Sequence, residues 1–310
     1  MNKKPQTYRS NGKLLLTAEY AVLDGANALA IPTKYGQSLN VVANHSHVIN
    51  WKSYDELDKV WFEDVYAIKN TSTLHVTSVL NNDISKRLIA ILKAAQKLNP
   101  EFLASNQGYD VTTHQDFNRL WGLGTSSTLI NNIANWANVD AYQLLEQTFG
   151  GSGYDIACAQ NDSAITFQLH TEPSPLVNTV NFKPNFKQQL YFVYLNQKQN
   201  SRDGISAYKT LAKISPSIIS DLNAITAAMV ACQSLSEFQS LMVQHETIIS
   251  NLIEQKPIKT QLFSDFDGAI KSLGAWGGDF ILVASQNNPS DYFTDKGFET
   301  VISYLDMVLK

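Results

Sequence analysis

Trp121-Gly122-Leu123-Gly124-Thr125-Ser126-Ser127 is the stretch on which the reading of this chain turns. A glycine turn runs directly into a helical pattern, with Leu129, Ile130, Ile133, Ala134 and Ala137 spaced by three and four to form one apolar face. Gly122 and Gly124 let the backbone approach a ligand with no Cβ in the way. Thr125, Ser126 or Ser127 is expected to cap the new helix. A helix start presents N–H groups without intrahelical acceptors and a partial positive charge, which suits phosphate. The hydroxyls add hydrogen bonds or a metal ligand. A turn of this kind can equally serve only as a connection, so the rest of the chain has to decide.

Upstream, Gly12-Lys13 leads into Leu14-Leu15-Leu16, which reads as a short buried strand, and Asp24-Gly25 marks a turn. A lysine beside a glycine and a buried strand is placed to meet a phosphate as a point charge, or to sit on a rim with Glu19. Ala28–Ile31, Gln37–Ala43, Val48–Trp51, Lys59–Glu63 and Thr73–Leu80 read as further strands, the last three as hairpins. His45, His47 and His75 have no spacing that fits a closed zinc site. Ile84–Leu98 is an amphipathic helix ended by Asn99-Pro100, and Gly108–Thr113 is a strand. Arg119 either faces the phosphate end of the turn or pairs with Asp116.

Downstream, a helix from Val139 to Phe149 precedes Gly150-Gly151-Ser152-Gly153-Tyr154-Asp155. A capping role explains Asp155 but not three glycines in four residues. Glu146 either brings a second carboxylate to the same place or lies on the surface. The polar, proline-bearing stretch from Glu172-Pro173 to Pro184 is the expected linker. Leu190–Leu195 reads as a buried strand, and Asn196–Gly204 as a polar loop carrying Lys198, Ser201 and Arg202. Helices are expected over Ile205–Ala212, Pro216–Cys232, Ser236–Leu252 and Gly297–Leu309. Gly274-Ala275-Trp276-Gly277-Gly278 forms another glycine turn, feeding a strand over Phe280–Ala284.

At 310 residues the chain exceeds what one core usually serves, so two domains are expected, residues 1–183 and 184–310. Apolar residues make up 44% and charged residues 17%, a globular composition. A net charge of -4 leaves no footprint for nucleic acid. No apolar run reaches the ~20 residues of a membrane span, and the N-terminus does not read as a signal peptide. The cytoplasm is therefore the expected compartment, with the protein a monomer or homodimer. Cys158 and Cys232 sit among small and apolar residues and read as buried thiols.

The glycine motifs offer backbone N–H groups, a lysine and two candidate carboxylates. No Walker A loop and no dinucleotide-binding fingerprint is present. Phosphoryl transfer uses such a set: amides and a helix start hold phosphates, Mg²⁺ neutralises them, and a carboxylate orients or deprotonates the acceptor hydroxyl.

In their order these motifs resemble the galactokinase, homoserine kinase, mevalonate kinase and phosphomevalonate kinase family. That family's Pro-Gly-Lys-x-x-Leu-x-Gly-Glu-His is similar to Asn11–Tyr20, its Gly-Leu-Gly-Ser-Ser-Ala to Gly122–Thr128, its Gly-x-Asp to Gly153–Asp155, and its Gly-Ala-Gly-x-Gly-Gly to Gly274–Gly278. The resemblance implies an α/β fold of two α+β lobes, the N-terminal one like ribosomal protein S5 domain 2 and the C-terminal one ferredoxin-like, with the active site between them. It implies ATP and Mg²⁺ as cofactors. It gives Asp155 and Lys13 catalytic roles, and assigns ATP to Gly122, Leu123, Gly124, Thr125, Ser126, Ser127, Gly277 and Gly278. Ser126 and Glu146 would face the metal. Glu19, Tyr20, Ser201, Arg202 and Trp276 would face a small, anionic acceptor.

Gly153-Tyr154-Asp155 is nearest the mevalonate and phosphomevalonate branch, so mevalonate is the first expected acceptor and phosphomevalonate the second. A sugar or homoserine comes third, and a non-catalytic nucleotide binder is the reading from another class. The chain departs from the family at Asn11 for proline, Ala18 for glycine, Tyr20 for histidine, Thr125 for serine and Trp276 for glycine.

Overall fold

The computed structural model describes residues 4–70, 74–105, 107–169, 174–211 and 213–309. The chain is mixed α/β and divides into two compact units, each built from separated stretches. Met1–Gly12, Tyr35–Arg119 and Leu123–Gln160 form the first, and Lys13–Lys34, Leu120–Gly122 and Asn161–Lys310 form the second.

The first unit carries parts of β1 (Gln6–Leu15) and β2 (Ala28–Asn44), with β3 (Val48–Tyr54), β4 (Val60–Asn70), β5 (Leu74–Ser78) and β6 (Gly108–Gln115). The strands follow the order β5-β4-β3-β6-β2. The β3–β6 pair is parallel and the other pairs are antiparallel. Alternation in β3 explains its packing: Ile49 and Trp51 point into the core, while Asn50 and Lys52 point away.

Four helices accompany this sheet: α1 (Asp83–Leu98), α2 (Thr125–Ala137), α3 (Ala141–Glu146) and α4 (Tyr154–Gln160). On α1, Leu88, Ile91, Leu92 and Ala95 are buried, and the Asn82 side chain caps the helix by accepting from the Ser85 N–H at 2.9 Å. On α2, Ile130, Ile133, Ala134 and Ala137 join the same core, which also holds Trp51, Tyr66 and Val111. The apolar spacing read from the sequence is therefore the buried face.

In the second unit β7 (Ile165–Gln168) pairs with Ala28–Ala30 of β2 and with β8 (Leu176–Thr179). An antiparallel sheet of order β10-β11-β9-β12 is built from β9 (Leu190–Tyr194), β10 (Ala269–Ser272), β11 (Phe280–Ala284) and β12 (Val301–Ser303). Between and after these strands lie α5 (Ser201–Tyr208), α6 (Pro216–Ala231), α7 (Leu235–Ile253), α8 (Ile258–Leu262), α9 (Ser290–Asp295) and α10 (Tyr304–Met307). One core cluster gathers Val193, Ile270, Ile281 and Val283 from the sheet with Phe263, Phe266 and Phe293. Cys158 and Cys232 are both buried, and no disulfide joins them.

Three expectations change. The tail is not one helix: Val301 and Ile302 pair with Val193 and Phe192 on β9, and only Tyr304–Met307 is helical. Its apolar spacing fits either state, and β-branched residues beside an available strand edge favour pairing. Ser201 and Arg202 are in the first turn of α5 rather than a loop, because the Asn200 side chain accepts from the Arg202 N–H at 3.1 Å and starts the helix there. No hydroxyl caps α2. Its cap position is Gly124, left-handed at φ 94°, so Thr125, Ser126 and Ser127 already lie inside the first turn. The expected turn at Glu172-Pro173 falls outside the described residues.

Candidate functional site

Side chains of Asn82, Asp140, Asn200, Ser215, Ser234 and Ser303 cap α1, α3, α5, α6, α7 and α10. At α2 the glycine leaves that place without a side-chain acceptor. The hydroxyls of its first turn face different partners. Ser127 is buried and donates back to the Gly124 carbonyl at 2.9 Å, and Thr125 Oγ1 accepts from Gln115 Nε2 at 3.0 Å. Ser126 is exposed. The N–H groups of the first turn have no intrahelical acceptor, which is the anion-binding end of any helix.

The second glycine run makes a comparable turn. Gly150, Gly151 and Gly153 have φ of 65°, 108° and 87°, values that favour glycine, and α4 begins directly after them. Nothing lies within 4 Å of a Cβ built on Gly150 or Gly151, so this turn is open, whereas Gly153 rests on the Tyr142 ring. Asp155 stands half-buried in the first turn of α4. Glu146 is exposed at the last position of α3.

A buried polar network ties α2 to β1 and β2 within the first unit, and one part-buried bond adds α4 to it. Gln160 Nε2 donates to Asn131 Oδ1 at 2.9 Å, and Asn131 Nδ2 donates to Ser10 Oγ at 2.9 Å. Ser10 in turn donates to Asn132 Oδ1 at 2.7 Å, and Asn132 Nδ2 donates to the Gln37 carbonyl at 2.9 Å. Gln160 thereby ties the C-terminal end of the helix that carries Asp155 to the helix that begins at the Gly124 turn. No sequence pattern hints at this network, since Asn131 and Asn132 simply interrupt an apolar stripe.

Within the second unit, Lys13 Nζ donates to the Gly122 carbonyl at 3.1 Å. Gly122 has φ 68°, and a Cβ there would collide with the Asp279 carboxylate. The Gln199 N–H donates to Asp279 Oδ1 at 3.1 Å, and the Asp279 N–H donates to the Gln197 carbonyl at 2.7 Å. Burial pushes the Asp279 carboxyl up, while the charges of Lys13 and Lys198 oppose the shift. Lys13, Gly122 and Asp279 are thus gathered in one place. Sequence reasoning misses Asp279, although it directly follows Gly277-Gly278. Its location beside a glycine from a distant part of the chain has no sequence signal.

Gly278 packs its backbone against Gln197 and Gln199, and Gly277 is exposed at φ 75°. The Trp276 ring is 1% exposed, so it packs inside the fold rather than presenting a face to solvent. Tyr20 donates its hydroxyl to the Ala275 carbonyl at 2.7 Å and lies against Tyr208 with ring centroids 5.4 Å apart. The Tyr208 hydroxyl donates to Asp24. Gly204 of α5 meets the Tyr20 hydroxyl so closely that no Cβ fits. Burial, then the adjacent Glu19 charge, moves the Tyr20 phenol up to about 12, keeping it a donor at neutral pH.

Glu19 is fully buried, and its carboxylate accepts from Lys271 Nζ. Ser201 and Arg202 are exposed on α5. Arg119, in the first unit, places its guanidinium 3.6 Å from the Trp61 ring centroid, while Asp116 pairs with Arg9 at 2.7 Å. Among the described residues no three His, Cys, Asp or Glu side chains converge as a metal site. No helix among them is long and apolar enough to cross a membrane.

No protein-family model matches the chain, and no curated protein matches its sequence. Solved structures do match. A mevalonate kinase from L. major in complex with R-mevalonate is 12% identical, covers 100% of this chain and 97% of its own, and has a TM-score of 0.69. A Streptococcus pneumoniae phosphomevalonate kinase in complex with phosphomevalonate and AMPPNP is 15% identical, with 96% and 99% covered and a TM-score of 0.68. A Lactococcus lactis galactokinase complexed with galactose is 11% identical, with 99% and 94% covered and a TM-score of 0.67. The chain has the two-domain α/β fold of the kinase family that these structures represent. At such identities the likeness is one of fold.

Proposed function

We propose that this protein transfers the terminal phosphoryl group of ATP to a small anionic molecule, with the hydroxyl of mevalonate the first acceptor and the phosphate of phosphomevalonate the second. The observation that carries the reading is the start of α2, where a left-handed glycine leaves the first-turn amides without a side-chain cap. The starts of α1, α3, α5, α6, α7 and α10 have one, while those of the short helices α8 and α9, which follow prolines, do not. Full-length likeness in fold to small-molecule kinases supports the same reading.

In this mechanism the amides from Gly122 to Ser127 hold the phosphates, with Ser127 fixing the turn through Gly124 and Gly277-Gly278 contributing backbone nearby. Lys13 supplies positive charge beside Gly122. Asp155 accepts or orients the proton of the acceptor hydroxyl. The exposed Ser126 hydroxyl and the exposed Glu146 carboxylate are oxygen donors of the type Mg²⁺ takes, and a cation held largely by substrate phosphates needs no cluster of protein acids. Bound Mg²⁺ would neutralise phosphate charge. Ser201, Arg202 and Tyr20 are proposed to select the acceptor. The division into an ATP-binding lobe, 1–183, and a second lobe, 184–310, belongs to the same reading.

The deciding experiment measures ADP release from ATP and Mg²⁺ with mevalonate, phosphomevalonate, homoserine and galactose in turn. Turnover with one acceptor establishes the activity and its branch. ATP binding without turnover on any of them would favour the non-catalytic alternative.

A further inference from the structure

The second unit buries four ionisable side chains in one cluster outside the residues given a chemical role. Glu19 and Lys271 are 0% exposed and ion-paired. Lys271 Nζ also donates to the Ser272 carbonyl at 2.9 Å. His245 and Glu246 reach the cluster from α7, also buried. His245 Nε2 accepts from the Ala18 N–H at 2.8 Å and lies 3.6 Å from Glu19 Oε2. An imidazole nitrogen that accepts is unprotonated there, and burial, with the Lys271 charge, holds the ring neutral by lowering its pKa well below 6.5. Glu246 accepts from the Ser272 N–H at 3.1 Å to each oxygen, and from the Ser272 hydroxyl at 2.7 Å.

These bonds converge on a backbone that would not otherwise hold its shape. Ala18 and Tyr20 have φ of 61° and 63°, a strained region that residues with side chains rarely adopt. The surroundings must therefore impose the turn. Ala18 is held through its N–H by His245, Glu19 through its carboxylate by Lys271, and Tyr20 through its hydroxyl by Ala275. Lys271 and Ala275 flank the entry to the Gly274–Gly278 turn, and Lys13 lies on β1, which leads into the Ala18–Tyr20 turn.

We propose that Lys271 and Glu19 are positioning residues: their buried contact locks the Ala18–Tyr20 turn to the strand before the Gly274–Gly278 turn, and so sets Tyr20 and Lys13 for the reaction. This rests on the kinase reading for its catalytic consequence and on the geometry alone for the lock. Glu19 acts from inside the fold through Tyr20, without touching the acceptor. Neither side chain is a catalytic residue.

The test uses the full chain with Lys271→Met, Glu19→Gln and the double variant Glu19→Gln/Lys271→Gln. Each single change leaves one buried charge without its partner, whereas the double change restores a neutral hydrogen-bonded pair. Backbone hydrogen exchange over residues 14–26 reads the lock with no substrate present. It should speed by about tenfold or more in either single variant and return to within about threefold of wild type in the double variant. With the acceptor found above, kcat should fall by about tenfold or more in the single variants while KM for ATP changes by less than about threefold, and kcat should recover in the double variant.

Should Lys271→Met fail to fold, Glu19→Gln and the double variant still give the comparison. Wild-type exchange and wild-type kcat in a folded single variant would overturn the proposal. So would a double variant with restored protection but unrestored kcat. A wild-type chain without turnover on any acceptor rejects the kinase reading instead, and the exchange measurement still decides the lock.

Discussion

Glu246→Gln gives a pH signature with a fixed sign. Burial pushes the Glu246 carboxyl from 4.5 up to about 7, although Lys271 and the Ser272 hydrogen bonds pull it down. The folded chain therefore binds more protons at this group than the unfolded chain does between those values. The resulting stabilisation is complete below about pH 4.5 and is lost as pH rises through about 7. At ~1.4 kcal/mol per pH unit the whole effect is about 3 kcal/mol, most of it falling between about pH 4.5 and pH 7. His245 works in the opposite direction, since its depressed imidazole favours the fold above pH 6.5 and loses that contribution as pH falls. Glu19, also raised by burial, adds to the Glu246 trend. Both groups remain in the variant, so the difference between variant and wild type isolates Glu246. Urea unfolding across this range should show the Glu246→Gln variant gaining on wild type by about 3 kcal/mol as pH rises. Parallel stability curves for the two proteins would refute the argument that desolvation outweighs the Ser272 bonds.

Asp155→Asn should retain ATP binding by calorimetry while kcat drops by about 10²–10⁴. An unchanged kcat would remove Asp155 from the chemistry. Gly122→Ala forces a Cβ toward the Asp279 carboxylate at a positive φ, so it should weaken ATP binding and lower the thermal midpoint together; wild-type values for both would show that the turn adapts. Asp279→Asn removes a carboxylate whose charge acts on Lys13. Its kcat–pH profile should shift relative to wild type, and superimposable profiles would place Asp279 outside the reaction.

Much of this architecture is legible because its determinants are local. Leu129, Ile130, Ile133, Ala134 and Ala137 announce α2, and alternation announces β3, since burial follows from period alone. Gly122 and Gly124 mark a sharp turn, as their positive φ requires. Context overrules local preference elsewhere. Val301 and Ile302 find a partner strand on β9, which no window of the tail can reveal. Glycine rather than a hydroxyl occupies the cap of α2, against the local rule that favours serine and threonine there. Nothing between Ile270 and Ser272 announces that Lys271 is buried against a glutamate 252 positions away. Asp279 and the Ser10–Asn131–Asn132–Gln160 network are likewise products of long-range folding. Motif resemblance supplies the candidate chemistry, while the groups that hold those motifs still are non-local.

The Gln160–Asn131 amide bond joining α4 to α2 bears on how such a protein can diversify. Two helices meeting through aliphatic side chains can slip by a fraction of a turn when one residue changes size. A directional bond across the contact resists that slip, because its donor would lose its acceptor. Substitutions around Tyr20 and α5 can accordingly accumulate without dragging Asp155 away from the Gly124 turn. In the kinase reading proposed above, Asp155 and the Gly124 turn would then keep their spacing while acceptor-facing residues change.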